Sequence, residues 1–445
     1  MRKERYTFYT LYSVFIGALG GFLYGFQLAS IAGALIFLTP AFHLTPLQEG
    51  WVVSMLLVGA FGGALCAGTC ADRIGRKKTI LLAAALCIAG TLLLSFATSY
   101  ALLLVGRAVA GISIGIISLV TPLYLAEISP PHSRGAFVSF NQLAITMGIL
   151  VAYLISLSYA KSGDWQMMFA WAIAPALMQV IGGLFLPETP SWLLQHHREE
   201  SGLATLKKLR IDNQWQSCLD EMKRSASSHK KGGWKTLFQP RLRHVLVLGL
   251  ALSAFQQITG INAVIYFAPK IFQIAGFASA SSAIFASVGI GVINVLATLF
   301  SVFLLDRLGR RPLLLTGLIG MIASLLALSF AFFLKSSSIA PIALVSLMSY
   351  VAFFAIGLGP ITWLLIAEIY PLAVRGKAMT IAVGMSWMSN YLISLIFLDL
   401  ISYLGSSITF CLFSLISIIA LIVIWRYVPE TKGKRLEEIE NELVR

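Results

Sequence analysis

Charged side chains are scarce in this sequence. Of its 445 residues only 12% are Asp, Glu, Lys or Arg, while 58% are apolar, and the mean hydropathy is +0.84. A soluble domain typically carries about 25% charged residues, so this composition excludes an ordinary soluble protein. Cysteine is rare as well, since the chain has five and four of them lie in apolar segments. We therefore expect reduced thiols and no disulfide framework.

Long apolar runs occupy most of the chain. Roughly 20 mostly apolar residues are needed for one helix to cross a bilayer. The basic start "MRKER" leads into an apolar segment that is too long for a signal-peptide core, so no cleaved leader is expected. The sequence instead predicts an all-α membrane protein with twelve transmembrane helices, at 9–38, 50–70, 79–97, 101–126, 136–160, 166–186, 245–275, 280–305, 312–334, 340–367, 378–401 and 407–425.

Basic residues lie almost entirely on one side of these predicted spans. With the N-terminus in the cytoplasm, all but four of the 33 Lys and Arg residues fall in the tails and the cytoplasmic connections. Lys161 and Lys335 lie in the opposite connections, and Arg107 and Lys270 lie within spans. Such asymmetry predicts that both termini are cytoplasmic. It accounts for the net charge of +14, so nucleic-acid binding is not expected.

The chain is predicted to contain two related halves. One long polar interruption separates six spans from six, and three motifs recur in the same order in both halves: "DRIGRKK" as "DRLGRRP", a Glu followed seven residues later by Arg-Gly, and "PETP" as "PETK". A duplicated six-span unit is typical of transporters that bind substrate between their halves. The predicted segments are an N-terminal half at 1–186, a cytoplasmic linker with short helices at 187–243, a C-terminal half at 244–427 and a cytoplasmic tail at 428–445.

The repeated motifs bring carboxylates and arginines to the inner ends of helices. Acidic residues contribute little to membrane orientation, so their presence favours ion pairs over purely topogenic charge. We expect these pairs to form a cytoplasmic gate that latches the two halves together in one conformation. Its predicted members are Asp72, Arg73, Arg76, Glu127, Arg134, Asp306, Arg307, Arg310, Glu368 and Arg375.

These motifs identify a family resemblance over nearly the whole chain. The sequence resembles the sugar porter family of the major facilitator superfamily, which includes the bacterial xylose–proton symporter and the mammalian glucose facilitators. The resemblance rests on "GGFLYGFQ", "DRIGRKK", "RAVAGISIG", "TPLYLAEISPPHSRG", "PETPSW", "FQQITGIN", "DRLGRR", "GPITWLLIAEIYPLAVRG" and "PETKGK". It implies the major facilitator fold and transport of a monosaccharide by alternating access.

Neutral amides and indoles interrupt the apolar spans. Asn and Gln both donate and accept hydrogen bonds, as sugar hydroxyls do, and they avoid the cost of burying a charge. Gly260 and Pro269 weaken the seventh span, as expected where a helix breaks to line a cavity. A lone amide would more simply join two helices. By the resemblance, the sugar contacts are Gln142, Gln256, Gln257, Asn262, Asn294, Trp363, Trp387 and Asn390, with Tyr24 and Tyr266 lining the cavity.

Coupling to protons requires a titratable group inside the membrane. Proton-coupled members of the resembled family carry Asp at the position of Gln27 and pair it with the equivalent of Arg107, and neither glutamine nor arginine titrates in a protein. Asp399 is the one acid predicted to approach a span interior. The sequence therefore favours passive uniport, with the Gln27 amide oxygen accepting from Arg107. The alternative is proton symport through Glu127, Glu368 or Asp399.

Other function classes are disfavoured. The sequence has no nucleophile–base set, metal cluster or phosphate loop, so an enzyme, a cofactor and a metal are not expected. A sugar sensor is a remote alternative, because 18 residues follow Tyr427 and signalling tails of such sensors are longer. Ile149 and Ala355 depart from different family patterns, which leaves hexose against pentose open. The expected partners are a monosaccharide and a lipid bilayer, and the expected location is the bacterial inner (cell) membrane. A monomer is compatible with the sequence.

Overall fold

A computed structural model describes residues 7–130, 134–209, 234–334, 339–371 and 374–432. The side chains of Arg134, Trp234, Lys235 and Asp306 lie outside this description. Much of the predicted linker and most of the predicted tail also lie outside it, so the predicted segment boundaries stay predictions.

The N-terminal part of the described chain is helical, with short connections. Its helices are α1 (Phe8–Phe42), α2 (Pro46–Ile74), α3 (Arg76–Ser95), α4 (Tyr100–Ile128), α5 (Arg134–Ser158), α6 (Trp165–Ala170), α7 (Ile173–Leu184), α8 (Pro190–Gln195) and α9 (Glu199–Leu209).

The C-terminal part is helical in the same way. Its helices are α10 (Trp234–Leu237), α11 (Pro240–Ile258), α12 (Ile261–Ile274), α13 (Ala280–Leu308), α14 (Arg310–Leu334), α15 (Ile339–Ile356), α16 (Leu358–Ile369) and α17 (Arg375–Tyr427).

Eleven helical segments of the described residues are long and apolar enough to cross a membrane. The last of them, α17, has 53 residues and contains Gly405 at φ 81° and ψ 159°, a conformation outside the helical region. The break divides α17 into the two crossings that the sequence predicts at 378–401 and 407–425. Twelve crossings of an all-α membrane protein are thereby confirmed, and no strand is present in the ranges that the structure describes.

Glycines interrupt two of the predicted spans. Gly260 has a φ of 96° and separates α11 from α12, as predicted for a span that lines a cavity. Pro269, the other residue expected to weaken this span, lies inside α12 without ending it. Gly357 separates α15 from α16, with a ψ of −97°. Both breaks free backbone carbonyls that side chains can reach, and both border predicted site residues.

The described chain divides into two compact units. The first comprises Met1–Gln27, Val58–Gly148 and Ala170–Lys230. Its centre is an apolar cluster in which α1, α3 and α4 pack together, with Leu23, Ala83 and Val120 fully buried. In this unit α2 and α4 approach closely, since a Cβ on Gly59 of α2 would lie 2.1 Å from the Ala108 carbonyl oxygen of α4.

The second unit comprises Leu28–Leu57, Ile149–Phe169 and Lys231–Arg445. It thus contains the C-terminal helices together with parts of α1, α2 and α5 that the sequence assigns to the N-terminal half. Stacked phenylalanines form part of its interior, with Phe397 contacting Phe267 and Phe413 at ring-centroid distances of 5.1 and 6.0 Å. This aromatic packing joins α12 to α17.

Two adjacent glycines of α2 provide a matched test of the close helix packing in the first unit. A Cβ on Gly63 would lie 2.2 Å from the Ile112 carbonyl oxygen, whereas one on Gly62 would meet nothing within 4 Å. We expect Gly63→Ala to lower the thermal unfolding midpoint in detergent, because overpacking costs about 1–3 kcal/mol. Gly62→Ala should leave that midpoint unchanged. Equal midpoints for the two variants would contradict the packing described here.

Candidate functional site

A chain of hydrogen-bonded amides crosses the break between α11 and α12. The Asn262 amide nitrogen donates to the Gln257 side-chain oxygen at 2.6 Å, and the Gln257 nitrogen donates to the Gln256 oxygen at 3.2 Å. Gln256 is buried, while Gln257 and Asn262 are half-buried. Gly260, whose backbone is left-handed, lies between the last turn of α11 and the first turn of α12 that this chain joins.

The Gln256 amide nitrogen anchors this chain to the start of α16. It donates to the carbonyl oxygens of Leu358 and Gly359, at 3.2 and 3.1 Å. These carbonyls belong to the first turn after the break at Gly357. An amide that satisfies carbonyls at a broken helix holds both helices in one arrangement, as expected where irregular backbone lines a cavity. Trp363, one turn further along α16, is half-buried.

Ser386 of α17 is a member of the cluster that sequence reasoning missed. The Gln257 nitrogen donates to the Ser386 hydroxyl at 3.0 Å. Nothing in the local pattern of a serine within a helix distinguishes it, but its position directly before Trp387 was an available signal. Trp387 itself is buried, with 6% of its surface exposed. The two residues bring α17 to the amide chain.

Asn390 and Tyr266 form a second polar contact in the same unit. The Asn390 nitrogen donates to the Tyr266 hydroxyl at 3.2 Å, and the Ser394 hydroxyl donates to the Asn390 oxygen at 3.0 Å. Both ends of the Asn390 amide are therefore engaged within the protein, and Asn390 and Tyr266 are only 4% and 1% exposed. The arrangement joins α12 to α17 and orients the tyrosine. Asn294 of α13 is also buried, at 7% exposed.

The amide chain ends at Asn262, which is half-buried. Among the described residues, none donates a hydrogen bond to the Asn262 side-chain oxygen, which leaves this acceptor open to a ligand. The inward members are already satisfied by protein groups. The cluster is therefore preorganised, so a polyol can bind without first breaking internal hydrogen bonds of Asn262.

Two other predicted contacts, Tyr24 and Gln142, belong to the first unit. Both are half-buried, on α1 and α5. These helices touch through their backbones, since a Cβ on Gly25 would lie 1.9 Å from the Ile145 carbonyl oxygen. This approach requires glycine at position 25 and keeps the tyrosine and the glutamine on neighbouring helices.

The predicted coupling position is fully enclosed. Gln27 and Arg107 are each 1% exposed. The Gln27 amide nitrogen donates to the Thr91 hydroxyl at 2.8 Å and to the Cys87 sulfur at 3.4 Å. An Arg107 guanidinium nitrogen donates to the Gln27 backbone carbonyl oxygen at 3.2 Å. Backbone and side chain of Gln27 thus both bind neighbours; that its side-chain oxygen accepts from Arg107 stays a prediction.

The first cytoplasmic motif is an interlocked set of ion pairs within the first unit. The Arg76 guanidinium bonds both oxygens of Glu127 at 3.1 Å, and Asp72 lies 3.2 Å from it. Glu188 accepts from the backbone nitrogens of Arg76 and Lys77 at the start of α3. Burial raises the pKa of the Glu188 carboxyl above its usual value, although these backbone donors oppose the shift.

The second motif repeats this geometry in the second unit. The Arg310 guanidinium contacts Glu368 at 3.2 Å, and Glu430 accepts from the backbone nitrogens of Arg310 and Arg311 at 3.1 and 3.0 Å. Burial acts to raise the pKa of the Glu430 carboxyl, but the backbone donors outweigh it and the pKa is lowered. Carboxylates at helix N-termini also interact favourably with the helix dipole.

The described ion pairs of both motifs join helices within one half. Their proposed role as a latch between the halves therefore stays a prediction. Arg73 and Arg307 are exposed, and the Arg375 side chain donates to the Tyr370 carbonyl at 3.1 Å. The side chains of Arg134 and Asp306, also predicted members of this gate, lie outside the described residues.

Two acidic residues that pair with Arg76, Glu127 and Asp72, allow a matched test of the first motif. We expect Glu127→Gln to lower thermal stability clearly, because removing one partner of a buried ion pair costs about 3–5 kcal/mol. The side chains of Arg76 and Glu127 are 5% and 14% exposed. Asp72→Asn should cost only about 0–1 kcal/mol, since Asp72 is 72% exposed. The check is thermal unfolding in detergent; equal losses would show that burial does not set the strength of these pairs.

A family model described as "Sugar (and other) transporter" matches residues 13–443. The chain belongs to this family of sugar transporters.

Curated relatives and solved structures agree with this family. The glucose transporter GlcP of Staphylococcus epidermidis is 39% identical over 97% of both chains. The galactose-proton symporter of Escherichia coli strain K12 is 35% identical over 98% of this chain and 95% of its own. The inward open conformation of the xylose transporter XylE from Escherichia coli superposes with a TM-score of 0.84, at 30% identity, covering 97% of this chain and 99% of that one.

Membership of the sugar transporter family confirms three predictions. The chain has the major facilitator fold, it is a multi-pass membrane protein with bacterial relatives, and its family consists of transporters rather than enzymes. The relatives include a protein named for proton symport and one named only as a transporter, so they leave the coupling mode undecided.

The prediction that Asp399 alone approaches a span interior is wrong. Glu49 lies in the first turn of α2 and is 2% exposed, and it forms an ion pair with Lys270 of α12. Within the described ranges it is the sole buried acidic residue. The sequence suggested a span from residue 50, which left Glu49 in a connection; the helix begins at Pro46, one turn earlier. The signal that could have found it was Lys270, a lysine within a span with no assigned partner.

Proposed function

We propose that this chain transports a monosaccharide, a hexose or a pentose, across the membrane by alternating access. The observation that carries the proposal is the amide chain from Gln256 to Asn262 with its free acceptor at the half-buried end. Neutral amides that donate and accept suit the hydroxyl ring of a sugar, and the neighbouring indoles of Trp363 and Trp387 suit its C–H face. Relatives named for glucose, galactose and xylose support the same substrate class.

The remaining predicted contacts belong to this proposal. We propose that Gln142 and Asn294 bind sugar hydroxyls and that Tyr24 borders the cavity. Asn390 and Tyr266 hydrogen-bond each other. We therefore propose that, besides contacting the sugar, they form part of the cavity wall and orient α12. A carrier must release its load, and a millimolar dissociation constant corresponds to only about 4 kcal/mol.

Uniport is the coupling mode that we favour. The titratable Asp of proton-coupled relatives is replaced by Gln27, whose neighbours Thr91 and Cys87 bind its amide nitrogen. Arg107, 1% exposed, still interacts with the backbone there. A central Arg in a membrane costs about 2.5–3.5 kcal/mol on insertion scales. Arg107 therefore needs an acceptor such as the Gln27 backbone carbonyl even in a protein that does not transport protons.

Proton symport through another carboxylate is the second candidate. The relative named as a galactose-proton symporter favours it, as do the xylose symporter structures. Glu127 and Glu368 are bound to arginines at the inner ends of helices, which suits a gate better than a proton carrier. A non-transporting sensor remains the remote alternative.

The substrate is tested by counterflow in proteoliposomes. Vesicles loaded with one unlabelled hexose or pentose are diluted into a trace of the same labelled sugar, and transient accumulation reports exchange through the protein. We expect at least one sugar of the panel to be exchanged and disaccharides to be refused. Protein-free vesicles are the control. If no monosaccharide of the panel is exchanged through the protein, the proposal is wrong.

Orientation and setting are part of the same proposal. The distribution of basic residues supports cytoplasmic termini, and the bacterial relatives support the bacterial cell membrane. We propose a monomer as the transporting unit.

A further inference from the structure

The buried ion pair of Glu49 and Lys270 has no role in the site described above. Glu49 opens α2, where the positive end of the helix dipole favours a carboxylate, and its side chain is 3% exposed. The Lys270 side chain is 26% exposed, so the pair is largely removed from water. Removing one member of such a pair leaves an uncompensated charge. The contact therefore depends on α2 and α12 keeping their positions relative to each other.

Neighbouring contacts close the same region of the second unit. A Cβ on Gly50 would lie 2.2 Å from the Leu395 carbonyl oxygen, and Trp51 packs edge-on against Tyr391 with ring centroids 6.3 Å apart. These contacts press the start of α2 against α17. Since Gly50 and Trp51 follow Glu49 directly, the ion pair and the backbone approach hold one helix end.

α5 contributes a contact of the same kind. The Tyr153 hydroxyl donates to the Ile265 carbonyl oxygen of α12 at 2.7 Å, and Tyr153 is fully buried. Segments that the sequence assigns to the N-terminal half thus contact α12 near its start at Ile265 and near its end at Lys270, and they contact α17 at Tyr391. In the proposed orientation the end of α12 that carries Lys270 faces the outer side of the membrane. We call the contacts of Glu49, Trp51 and Tyr153 with Lys270, Tyr391 and Ile265 the clasp.

α12 connects the clasp to the candidate sugar site. This single helix of 14 residues carries Asn262 near its start and Lys270 near its end. The break at Gly260 ends the continuous helix of α11 before α12 begins, so this glycine can serve as a hinge about which α12 tilts. A force on Lys270 is therefore transmitted to Asn262, the residue with the open acceptor.

We propose that the Glu49–Lys270 ion pair is the outer gate of this transporter: it forms when the outer side closes and breaks when α12 tilts to admit sugar. The proposal rests on the proposed alternating access. Because the ion pair exists only in the closed state, it stabilises the inward-facing conformation relative to the outward-facing one. Lys270 and Glu49 are positioning residues, since neither touches the amide chain.

Hydrogen–deuterium exchange on the full chain in nanodiscs tests the gate without any substrate. In Glu49→Gln and in Lys270→Met, we expect exchange about tenfold faster at 46–57 and 261–274, corresponding to about 1.4 kcal/mol. Exchange at the inner ends, 118–128 and 363–369, should become slower, because opening one side closes the other. Asp164→Asn and Lys161→Met are the matched controls, since they remove the same charges from the neighbouring connection; we expect wild-type exchange in both.

A charge exchange separates a gate from a structural contact. Glu49→Lys combined with Lys270→Glu restores the pair but sets a cation at the start of α2, which the helix dipole disfavours. We expect exchange at 46–57 to return part of the way towards the wild-type rate. Faster exchange at both ends of the helices would identify a contact that only stabilises the fold, and unchanged exchange in the single variants would refute the gate.

The same variants distinguish this inference from the proposed function. If wild-type counterflow fails for every sugar but the reciprocal exchange pattern is observed, the gate holds and the substrate class is wrong. If counterflow succeeds and the reciprocal pattern is absent, the transport proposal holds and the gate is wrong.

Discussion

Replacing Gln256 by Ala is expected to reduce sugar counterflow at least about tenfold. The substitution removes two hydrogen bonds to the Leu358 and Gly359 carbonyls and the acceptor of Gln257. Leaving buried polar groups unsatisfied costs about 1–3 kcal/mol each, and the amide chain would lose its anchor on α16. The measurement is initial uptake into proteoliposomes at matched protein content.

Gln179→Leu is the control for this variant. Gln179 is fully buried, and both of its amide atoms lack a hydrogen-bond partner among the described residues. Replacing an unsatisfied amide by an apolar group is near neutral or stabilising, so uptake should persist. Full activity of Gln256→Ala would remove the amide chain from the substrate site, and loss of activity in both variants would point to a general effect of buried glutamines.

Gln27→Asp is expected to convert the protein into one that responds to a proton gradient. A carboxylate at this position would lie beside Arg107, which contacts the Gln27 backbone at 3.2 Å. Its charged form would be stabilised by the guanidinium and its neutral form by burial, so it could take up and release a proton as the site changes sides. We expect acid outside the vesicles to raise sugar accumulation several-fold above the level without a gradient.

Gln27→Asn is the matched control, because it shortens the side chain in the same way without adding a titratable group. It should transport without any response to the gradient. A gradient-dependent Asn variant, or an Asp variant that transports at the wild-type rate without coupling, would show that position 27 does not decide coupling.

The fold was largely predictable from hydropathy and repetition. Apolar runs of sufficient length predict the twelve crossings, and glycines such as Gly260 mark a break because few other residues adopt a φ of 96°. The predicted helix boundaries were less accurate where the local sequence is compatible with both a helix and a turn. The start of α2 at Pro46, before the apolar run, is one example, since a proline at the first helical position is compatible with either a turn or a helix.

The candidate site was predictable in residue type more than in connection. Amides at Gln256, Gln257 and Asn262 stand out in an apolar span, so their polarity alone identified them. Their partners did not stand out. Ser386 lies 129 residues from Gln257 and Lys270 lies 221 residues from Glu49, and helical periodicity contains no information about contacts at that separation. Tertiary packing decides which polar side chains meet.

The plateau of sugar inside wild-type proteoliposomes under an imposed pH gradient tests the central claim most directly. An amide-lined carrier with Gln27 at the coupling position should bring the internal sugar concentration to the external one and no further, whether the outside is acidic or at the internal pH. Internal sugar that rises several-fold above the external concentration only when the outside is acidic would contradict passive transport and would require a proton-carrying group elsewhere in the chain.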